Sequence, residues 1–225
     1  MAGSPELQSV KIPVGDQSVS GLLLRPASAK ALYLFAHGAG AGMTHPSMEA
    51  NAQGLAERGV ATLRYQFPYM EKGTRRPDPP RLAQATVRAA AAQAASLVPD
   101  LPLYAGGRSF GGRMTSQAQA EAPLPGVRGL AFLGFPLHPA GKPGIERAEH
   151  LARIGIPMLF VSGDRDALAD LSLLKPVVAE LGPRATLHVV SHADHSFKVA
   201  AKSGRTTADA KVEALDALAQ WMLGW

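Results

Sequence analysis

The segment G-G-R-S-F-G-G-R, at residues 106–113, places one serine among four glycines. A serine hydroxyl is a weak nucleophile at neutral pH and needs an adjacent base to take its proton. Aspartates and histidines follow later in the chain, in G-D-R-D at 163–166 and S-H-A-D-H at 191–195. Serine, carboxylate and imidazole are together the groups of nucleophilic acyl transfer. We therefore expect Ser109 to be the nucleophile of a hydrolytic site.

The glycines around Ser109 support this interpretation. A strand that turns sharply into a helix holds a serine Oγ clear of the sheet, and Gly107 and Gly111 remove side chains that would collide there. The alternative is a helix N-terminus whose glycines serve packing only. The glycine loop, the aspartates and the histidines elsewhere in the chain favour the nucleophile. For Gly106 and Gly112 we expect close packing of the helix on the strand.

More than one residue could supply the acid and the base. Asp164 and Asp166 both follow an apolar run of strand length, and either could orient the base. His188 lies inside the next strand, where a position on a sheet face is expected. His192 and His195 remain as candidates for the base. Adjacent loop positions rarely supply a complete set of metal ligands, so we expect no metal at this cluster.

Acyl transfer also needs two N–H donors for the oxyanion that develops in the transition state. The backbone of Phe110, directly after the serine, would supply one, because the helix that begins there points its N–H groups towards the site. The loop H-G-A-G, at 37–40, follows another apolar run. The backbone of Ala39 would supply the second donor.

Three further residues are candidates for the substrate pocket. His37 opens the glycine loop and would order it by hydrogen bonding. His138 follows a strand in G-F-P-L-H-P. Arg108 precedes the serine and either forms a salt bridge at the rim or recognises an anionic group of the substrate. His150 is expected at the surface.

These groups meet only if the strands before them end at a common edge of one sheet. Apolar runs alternate with helical patterns along the chain, and four of them precede the loops described above: 31–36, 103–106, 156–162 and 186–190. Such alternation predicts an α/β fold, a mostly parallel sheet with helices on both faces. Ligands of such sheets bind beyond the carboxyl ends of the strands.

The remaining segments complete this fold. Runs at 10–14 and 19–24 flank Gly15 and Asp16 and predict an antiparallel hairpin at one edge. Residues 67–80, rich in Gly, Arg and Pro, are expected to form a loop. The segment between 135 and 156 is too short for a large cap domain. We expect a single domain over residues 1–225.

The composition disfavours several classes of protein. The chain has no Cys, which removes disulfides, thiolate metal sites and a Cys nucleophile. It has no apolar run of about 18 residues, so no membrane partner is expected. The first ten residues lack the basic and apolar regions of a secretory signal, and we expect a cytoplasmic protein. The net charge of +5 is spread along the chain, and the densest basic group, at 72–81, has no interleaved aromatics. We expect no nucleic-acid partner.

Four segments together resemble a known family. F-A-H-G-A-G-A-G, Y-Q-F-P-Y-M-E-K-G, G-G-R-S-F-G-G-R and G-F-P-L-H-P-A-G-K-P are similar to segments of small, capless bacterial α/β-hydrolases allied to dienelactone hydrolase. They are also similar to the hydrolase-like domain of animal Tex and NSL-complex subunit proteins. The resemblance covers essentially the whole chain, and the order Ser…Asp…His is that of α/β-hydrolases.

This resemblance implies a role for each site residue. Ser109 would be the nucleophile, Asp166 the acid in a Gly-x-x-Asp pattern, and His195 the base in A-D-H-S-F. The amides of Ala39 and Phe110 would form the oxyanion hole. Dienelactone hydrolase itself uses Cys where this chain has serine. We expect a serine hydrolase that cleaves a small or medium acyl ester or thioester without a cofactor. The alternatives are peptidase or lactonase activity, or a non-catalytic interaction protein. The sequence does not indicate an oligomeric state.

Overall fold

The computed structural model describes residues 5–224. Residues 1–4 and 225 lie outside it, and with them the start of the segment that lacks secretory features and both ends of the expected domain. The strands are β1 (Glu6–Val14), β2 (Gln17–Arg25), β3 (Ala31–Ala36), β4 (Val60–Tyr65), β5 (Leu103–Arg108), β6 (Val127–Leu133), β7 (Met158–Gly163) and β8 (Ala185–Val190).

All these strands form one sheet, in the order β1-β2-β4-β3-β5-β6-β7-β8. The first two pair antiparallel through the hairpin, and β2 pairs antiparallel with β4. Every pair from β4 to β8 is parallel. The predicted sheet with an antiparallel edge hairpin is therefore confirmed. Because parallel strands end on the same side, the loops after β3, β5, β6, β7 and β8 meet at one edge.

The connections between strands are mostly helical. The α-helices are α1 (Pro46–Glu57), α2 (Pro68–Glu71), α3 (Pro80–Leu97), α4 (Phe110–Glu121), α5 (Leu171–Glu180) and α6 (Thr207–Leu223). The 3₁₀ turns are Glu146–Arg153, Gly182–Arg184 and Ala201–Ser203. Within residues 5–224, none of the helices has both the length and the apolar character that crossing a membrane requires.

Helices cover both faces of the sheet, and successive residues of a strand point to opposite faces, so each strand contributes to both cores. In β3, Leu32 and Leu34 join the core beneath α3, α4 and α5. Tyr33 and Phe35 of the same strand join the core beneath α1 and α6. All six residues of β3 are buried, which explains its unbroken apolar sequence. This double-sided core fixes the edge at which the loops converge.

Two segments contain short helical elements that the sequence patterns did not predict. The expected loop at 67–80 begins with α2, and the connection between β6 and β7 contains Glu146–Arg153. That turn packs on α4 and buries His150, so its expected surface position is wrong. The ring nitrogen Nε2 of His150 lies 2.7 Å from Ser116 Oγ on α4. Burial lowers the pKa of His150 to about 4, and the nearby Arg153 and Arg113 act in the same direction.

The strand before Ser109 also runs further than its apolar pattern indicates. Its predicted end is residue 106, but β5 continues to Arg108. Gly106 and Gly107 pair with β3 on one side and β6 on the other, so the glycines belong to the sheet itself. The turn into α4 is therefore confined to Ser109.

Candidate active site

Ser109 lies at the junction of β5 and α4 in a strained backbone conformation. Its φ is 50° and its ψ is −116°. A non-glycine residue persists at such angles only where the surrounding structure fixes it. Its N–H donates to the carbonyl of Leu133 at 3.2 Å, and its own carbonyl accepts from the Arg113 amide at 3.1 Å. Strand β6 and helix α4 therefore hold the turn from both sides.

The four neighbouring glycines allow main-chain segments to approach this turn closely. A Cβ on Gly107 would lie 2.4 Å from the Ala36 carbonyl oxygen, and one on Gly111 would lie 2.5 Å from the His37 carbonyl oxygen. A Cβ on Gly106 would lie 1.8 Å from the Ala131 carbonyl oxygen. A Cβ on Gly112 would lie 2.9 Å from the carbonyl oxygen of Gly107. Each of these neighbours is backbone, so a side chain at any of the four positions would displace the sheet or the helix.

The hydroxyl of Ser109 is hydrogen-bonded to an imidazole that in turn contacts a carboxylate. His195 Nε2 lies 2.8 Å from Ser109 Oγ, and His195 Nδ1 lies 2.8 Å from Asp166 Oδ2. A carboxylate only accepts hydrogen bonds, so the Nδ1–H donates to Asp166 and Nε2 accepts from the serine. The Asp166 side chain is 0% exposed, and its Oδ1 accepts from the Leu168 amide at 2.8 Å. The structure thus brings the three predicted residues into one hydrogen-bonded series.

The competing residues lie apart from this series. Asp164 faces the guanidinium of Arg165 at 3.9 Å. His188 lies on β8 with its Nε2 3.1 Å from Glu213 Oε1. His192 is exposed in the turn after β8, with a φ of 63°. Among residues 5–224, no cluster of three or more His, Asp or Glu side chains is arranged to hold a metal ion.

Two groups that no sequence pattern singled out hold His195 in place. Asp194 Oδ1 accepts from the amides of Ser196 and Lys198 at 2.7 and 2.9 Å, which closes the loop around the histidine. Gly134, directly after β6, has a φ of +66°, and a Cβ there would lie 3.2 Å from the His195 ring. A glycine at the end of a strand beside the site was the only signal for Gly134 in the sequence.

The loop after β3 passes beside the serine. A Cβ on Gly38 would lie 3.7 Å from Ser109 Cβ. His37 is fully buried behind this loop, where its Nδ1–H donates to the Gly38 carbonyl at 2.8 Å and its Nε2 accepts from the Phe67 amide at 3.1 Å. Burial lowers the pKa of His37 to about 4, so the ring is neutral at physiological pH. The neutral ring thereby fixes the position of the loop that contains Ala39.

A cavity of about 540 Å³ opens over Ser109 and His195. Ala39 lies on its wall, and Phe110 begins α4 directly after Ser109, which also lines the cavity. Among the expected pocket residues, only Arg108 borders it. Two hydroxyls accept from the Arg108 guanidinium, Ser47 Oγ at 3.3 Å and Ser196 Oγ at 2.8 Å.

His37 and His138 do not line this cavity, which corrects their expected place in the pocket. His37 is turned away towards Phe67, as described above. His138 borders a second cavity, of about 330 Å³, that lies against Asp166. Its Nδ1 donates to the Pro139 carbonyl at 2.9 Å and its Nε2 accepts from the Asp170 amide at 3.3 Å. The chain after β6 thus places His138 against the loop before α5. Asp170 also caps α5, because its side chain accepts from the Ser172 amide.

The expected salt bridge of Arg108 is not formed. Among the described residues, no carboxylate lies within 4.0 Å of its guanidinium. Burial lowers the pKa of Arg108, while the charges of Asp194 and Asp166 act from further away in the opposite direction. The guanidinium is therefore a partly desolvated cation, and its side-chain hydrogen-bond partners within residues 5–224 are neutral hydroxyls.

Comparison with known proteins identifies the family of this arrangement. A family model described as an alpha/beta hydrolase domain matches residues 29–223. The solved structure of dienelactone hydrolase from Anabaena variabilis is similar over 99% of each chain, with a TM-score of 0.77 and 22% identity. An α/β serine hydrolase without a lid from Xanthomonas campestris is similar over 96% of this chain and 95% of its own, with a TM-score of 0.73 and 18% identity.

A cold-adapted esterase from an Arctic intertidal metagenomic library is similar over 96% of this chain and 94% of its own, with a TM-score of 0.67 and 20% identity. At these identities the solved structures support the fold alone. The predicted α/β-hydrolase fold and the resemblance to small capless hydrolases are confirmed. The likeness to Tex and NSL-complex subunit proteins stays a prediction.

Replacing Gly111 by Ala should destabilise the fold, because the new Cβ would press on the backbone of Ala36 and His37. The expected loss in free energy of unfolding is about 1–3 kcal/mol or more, measured by urea denaturation. Gly155→Ala is the matched control, since a Cβ at Gly155 meets nothing within 4 Å. Equal stability of the two variants would contradict the steric role of Gly111.

The buried His37 should make stability depend on pH. Its pKa is about 4 in the folded protein and 6.5 without the fold, so the unfolded state binds the extra proton between these values. The free energy of unfolding should therefore fall as the pH falls from 6.5 towards 4, by up to about 1.4 kcal/mol per pH unit. His37→Asn should flatten this slope by that amount in urea titrations across the range. The contribution of His150 is common to both proteins and cancels. An unchanged slope would show that His37 is not held neutral.

Proposed function

The chain belongs to the alpha/beta hydrolase domain family, and from that premise we propose that it is a serine hydrolase acting through an acyl-enzyme at Ser109. The observation that carries the proposal is the hydrogen-bonded series from Ser109 Oγ through His195 to the buried Asp166. A hydroxyl bonded to a base, with the base oriented by a third group, is the arrangement that activates a nucleophile.

In the first half of the reaction, His195 Nε2 takes the proton from Ser109 Oγ as the oxygen attacks the carbonyl carbon of an ester or thioester. The imidazolium that forms is stabilised by Asp166, which stays ionised and fixes the tautomer of the ring. The tetrahedral intermediate collapses when His195 gives the proton to the leaving alcohol or thiol. The acyl group is then bonded to Ser109.

In the second half, a water molecule replaces the alcohol or thiol. His195 takes its proton, the water oxygen attacks the acyl carbon, and the proton returns to Ser109 Oγ as the acid leaves. The amides of Phe110 and Ala39 would donate to the oxyanion in both halves. Two observations support these donors. Phe110 begins α4 directly after the serine, and the loop of Ala39 lies beside Ser109 on the cavity wall.

The size and lining of the cavity support a small or medium acyl group. A volume of about 540 Å³ is within the range of small-molecule sites. Met48, Leu133, Leu168 and Phe197 give it apolar contacts for a short chain or a ring. The similar structure from the Arctic metagenomic library is itself named as an esterase.

The organisation of the protein around this site also remains a proposal. The described residues share one sheet, with a large hydrophobic core on each of its faces, which supports a single domain over residues 1–225. The cytoplasmic location stays a prediction from the sequence.

Treatment with a fluorophosphonate should label the native protein on Ser109, because the probe reacts with an activated serine hydroxyl. The adduct is located by mass spectrometry of the digested protein, with Ser109→Ala as control. If the native protein forms no adduct, the proposal that it is a serine hydrolase is wrong. An equal adduct on Ser109→Ala would refute the choice of nucleophile.

Replacing Asp166 by Asn should keep the size of the side chain but remove its charge and its hold on the His195 tautomer. The turnover of 4-nitrophenyl acetate should fall by about 10³–10⁴-fold. Asp164→Asn, on the same turn, is the matched control and should stay within about twofold of the native rate. Similar rates for the two variants would contradict the role given to Asp166.

A further inference from the structure

The wall of the cavity beside Ser109 is strongly cationic. Arg108 lies within it, and Lys198 and Lys211 stand at its exposed rim. Among the described residues that line the cavity, none is Asp or Glu. An apolar ester alone gives no reason for three permanent cations around one opening, because charges that face a common cavity repel one another.

The environment of Arg108 makes it the centre of this wall. A guanidinium presents five N–H donors in a planar fork that matches the two oxygens of a carboxylate or phosphate. In the part of the chain that the structure describes, it donates to the neutral hydroxyls of Ser47 and Ser196 and to no carboxylate. Removing a cation from water without an anionic partner is costly, so an anion that enters the cavity gains by pairing with it.

The two carboxylates whose charges act on Arg108 are hydrogen-bonded to other groups. Asp166 bonds His195 and the Leu168 amide, while Asp194 accepts from the amides of Ser196 and Lys198. Neither carboxylate lies within 4.0 Å of the Arg108 guanidinium, since none of the ion pairs among the described residues includes Arg108. Among residues 5–224, the charge of Arg108 is therefore offset only from a distance, by Asp194 and Asp166, and its donor fork is left to pair directly with an anionic ligand.

We propose that the natural substrate is an ester or thioester that also has an anionic oxygen group, a carboxylate or a phosphate, and that Arg108 binds this group with support from Lys198 and Lys211. The proposal rests on the function proposed for Ser109. Arg108 precedes the nucleophile, and its partner Ser196 follows the base. The anionic group would therefore lie only a few bonds from the carbonyl that is attacked.

A purely structural role for Arg108 would have a different consequence. As a link between Ser47 on α1 and Ser196 beside the base, the guanidinium would position His195 equally for every substrate. Its loss would then slow anionic and neutral esters alike. The ratio of the two rates in each variant separates the roles, whatever happens to the absolute rates.

The test uses pairs of esters that differ in charge but little in shape. 4-Acetoxybenzoate and 4-acetoxybenzamide place the difference on the leaving group, and monophenyl terephthalate and phenyl 4-carbamoylbenzoate place it on the acyl group. 4-Acetoxyphenylphosphonate replaces the carboxylate by a phosphorus oxyanion. In the native protein, kcat/KM should favour the anionic member of at least one comparison by about tenfold or more. The favoured compound shows whether the anionic group belongs to the acyl group or to the leaving group, and whether it is a carboxylate or a phosphorus oxyanion.

Arg108→Met should bring that ratio within about twofold of one, and Arg108→Lys, which keeps the charge but not the fork, should give an intermediate value. Lys175→Met is the control for net charge, because Lys175 lies exposed on α5 away from the cavity, and it should keep the native ratio. A native ratio near one for every comparison, or a ratio that Arg108→Met leaves unchanged, would overturn the proposal.

A binding measurement with product analogues tests the anion site even if the protein does not turn over any of the esters. Calorimetric titration with 4-hydroxybenzoate, 4-hydroxybenzamide and phenylphosphonate should show that native protein binds an anion at least tenfold more tightly than the amide, and that Arg108→Met does not. Tighter binding of an anion that depends on Arg108, in a protein that the fluorophosphonate does not label, would support the anion site and refute the proposal that the protein is a serine hydrolase. Labelling of Ser109 without any preference for an anion would refute the anion site and leave the hydrolase intact.

Discussion

Ser109 keeps its φ of 50° because three main-chain segments close around one turn. The end of β3 lies against Gly107 and Gly111, where a Cβ atom on either glycine would collide with it. The Leu133 carbonyl on β6 accepts the serine N–H, and the Arg113 amide on α4 donates to the serine carbonyl. Such a strained residue costs on the order of 1–3 kcal/mol and persists only where the surrounding fold fixes it. The doubly covered sheet is what fixes it. The hydrogen-bond geometry of the site depends on this single turn.

Groups that perform no chemistry in the proposed reaction hold the other parts of the site. The neutral ring of His37 ties the loop after β3 to Phe67. Asp194 closes the loop around His195, and Gly134 leaves room for the imidazole at the end of β6. Each is fixed by backbone contacts, so the serine, the base and the buried carboxylate meet within hydrogen-bonding distance without a cap domain. The cavity above them stays open to solvent on the side of its lysines.

The sheet and its loops were predictable because parallel strands that are buried on both faces leave unbroken apolar runs, and a sharp strand-to-helix turn needs glycine. Contacts between residues that are distant in sequence could not be predicted in this way. His150 is buried by Ser116, and His138 is turned aside by the Asp170 amide. Arg108 finds hydroxyls where the sequence suggested a salt bridge. In each case the partner lies more than 30 residues away, where no local pattern connects the two.

The most direct test of the account is a crystal structure of the protein after reaction with a fluorophosphonate. The adduct resembles the tetrahedral intermediate, so its phosphoryl oxygen stands where the oxyanion would form. The account predicts phosphorus bonded to Ser109 Oγ, with that oxygen about 2.7–3.1 Å from the amide nitrogens of Phe110 and Ala39. Phosphorus on another residue, or an oxygen directed away from both amides, would contradict it.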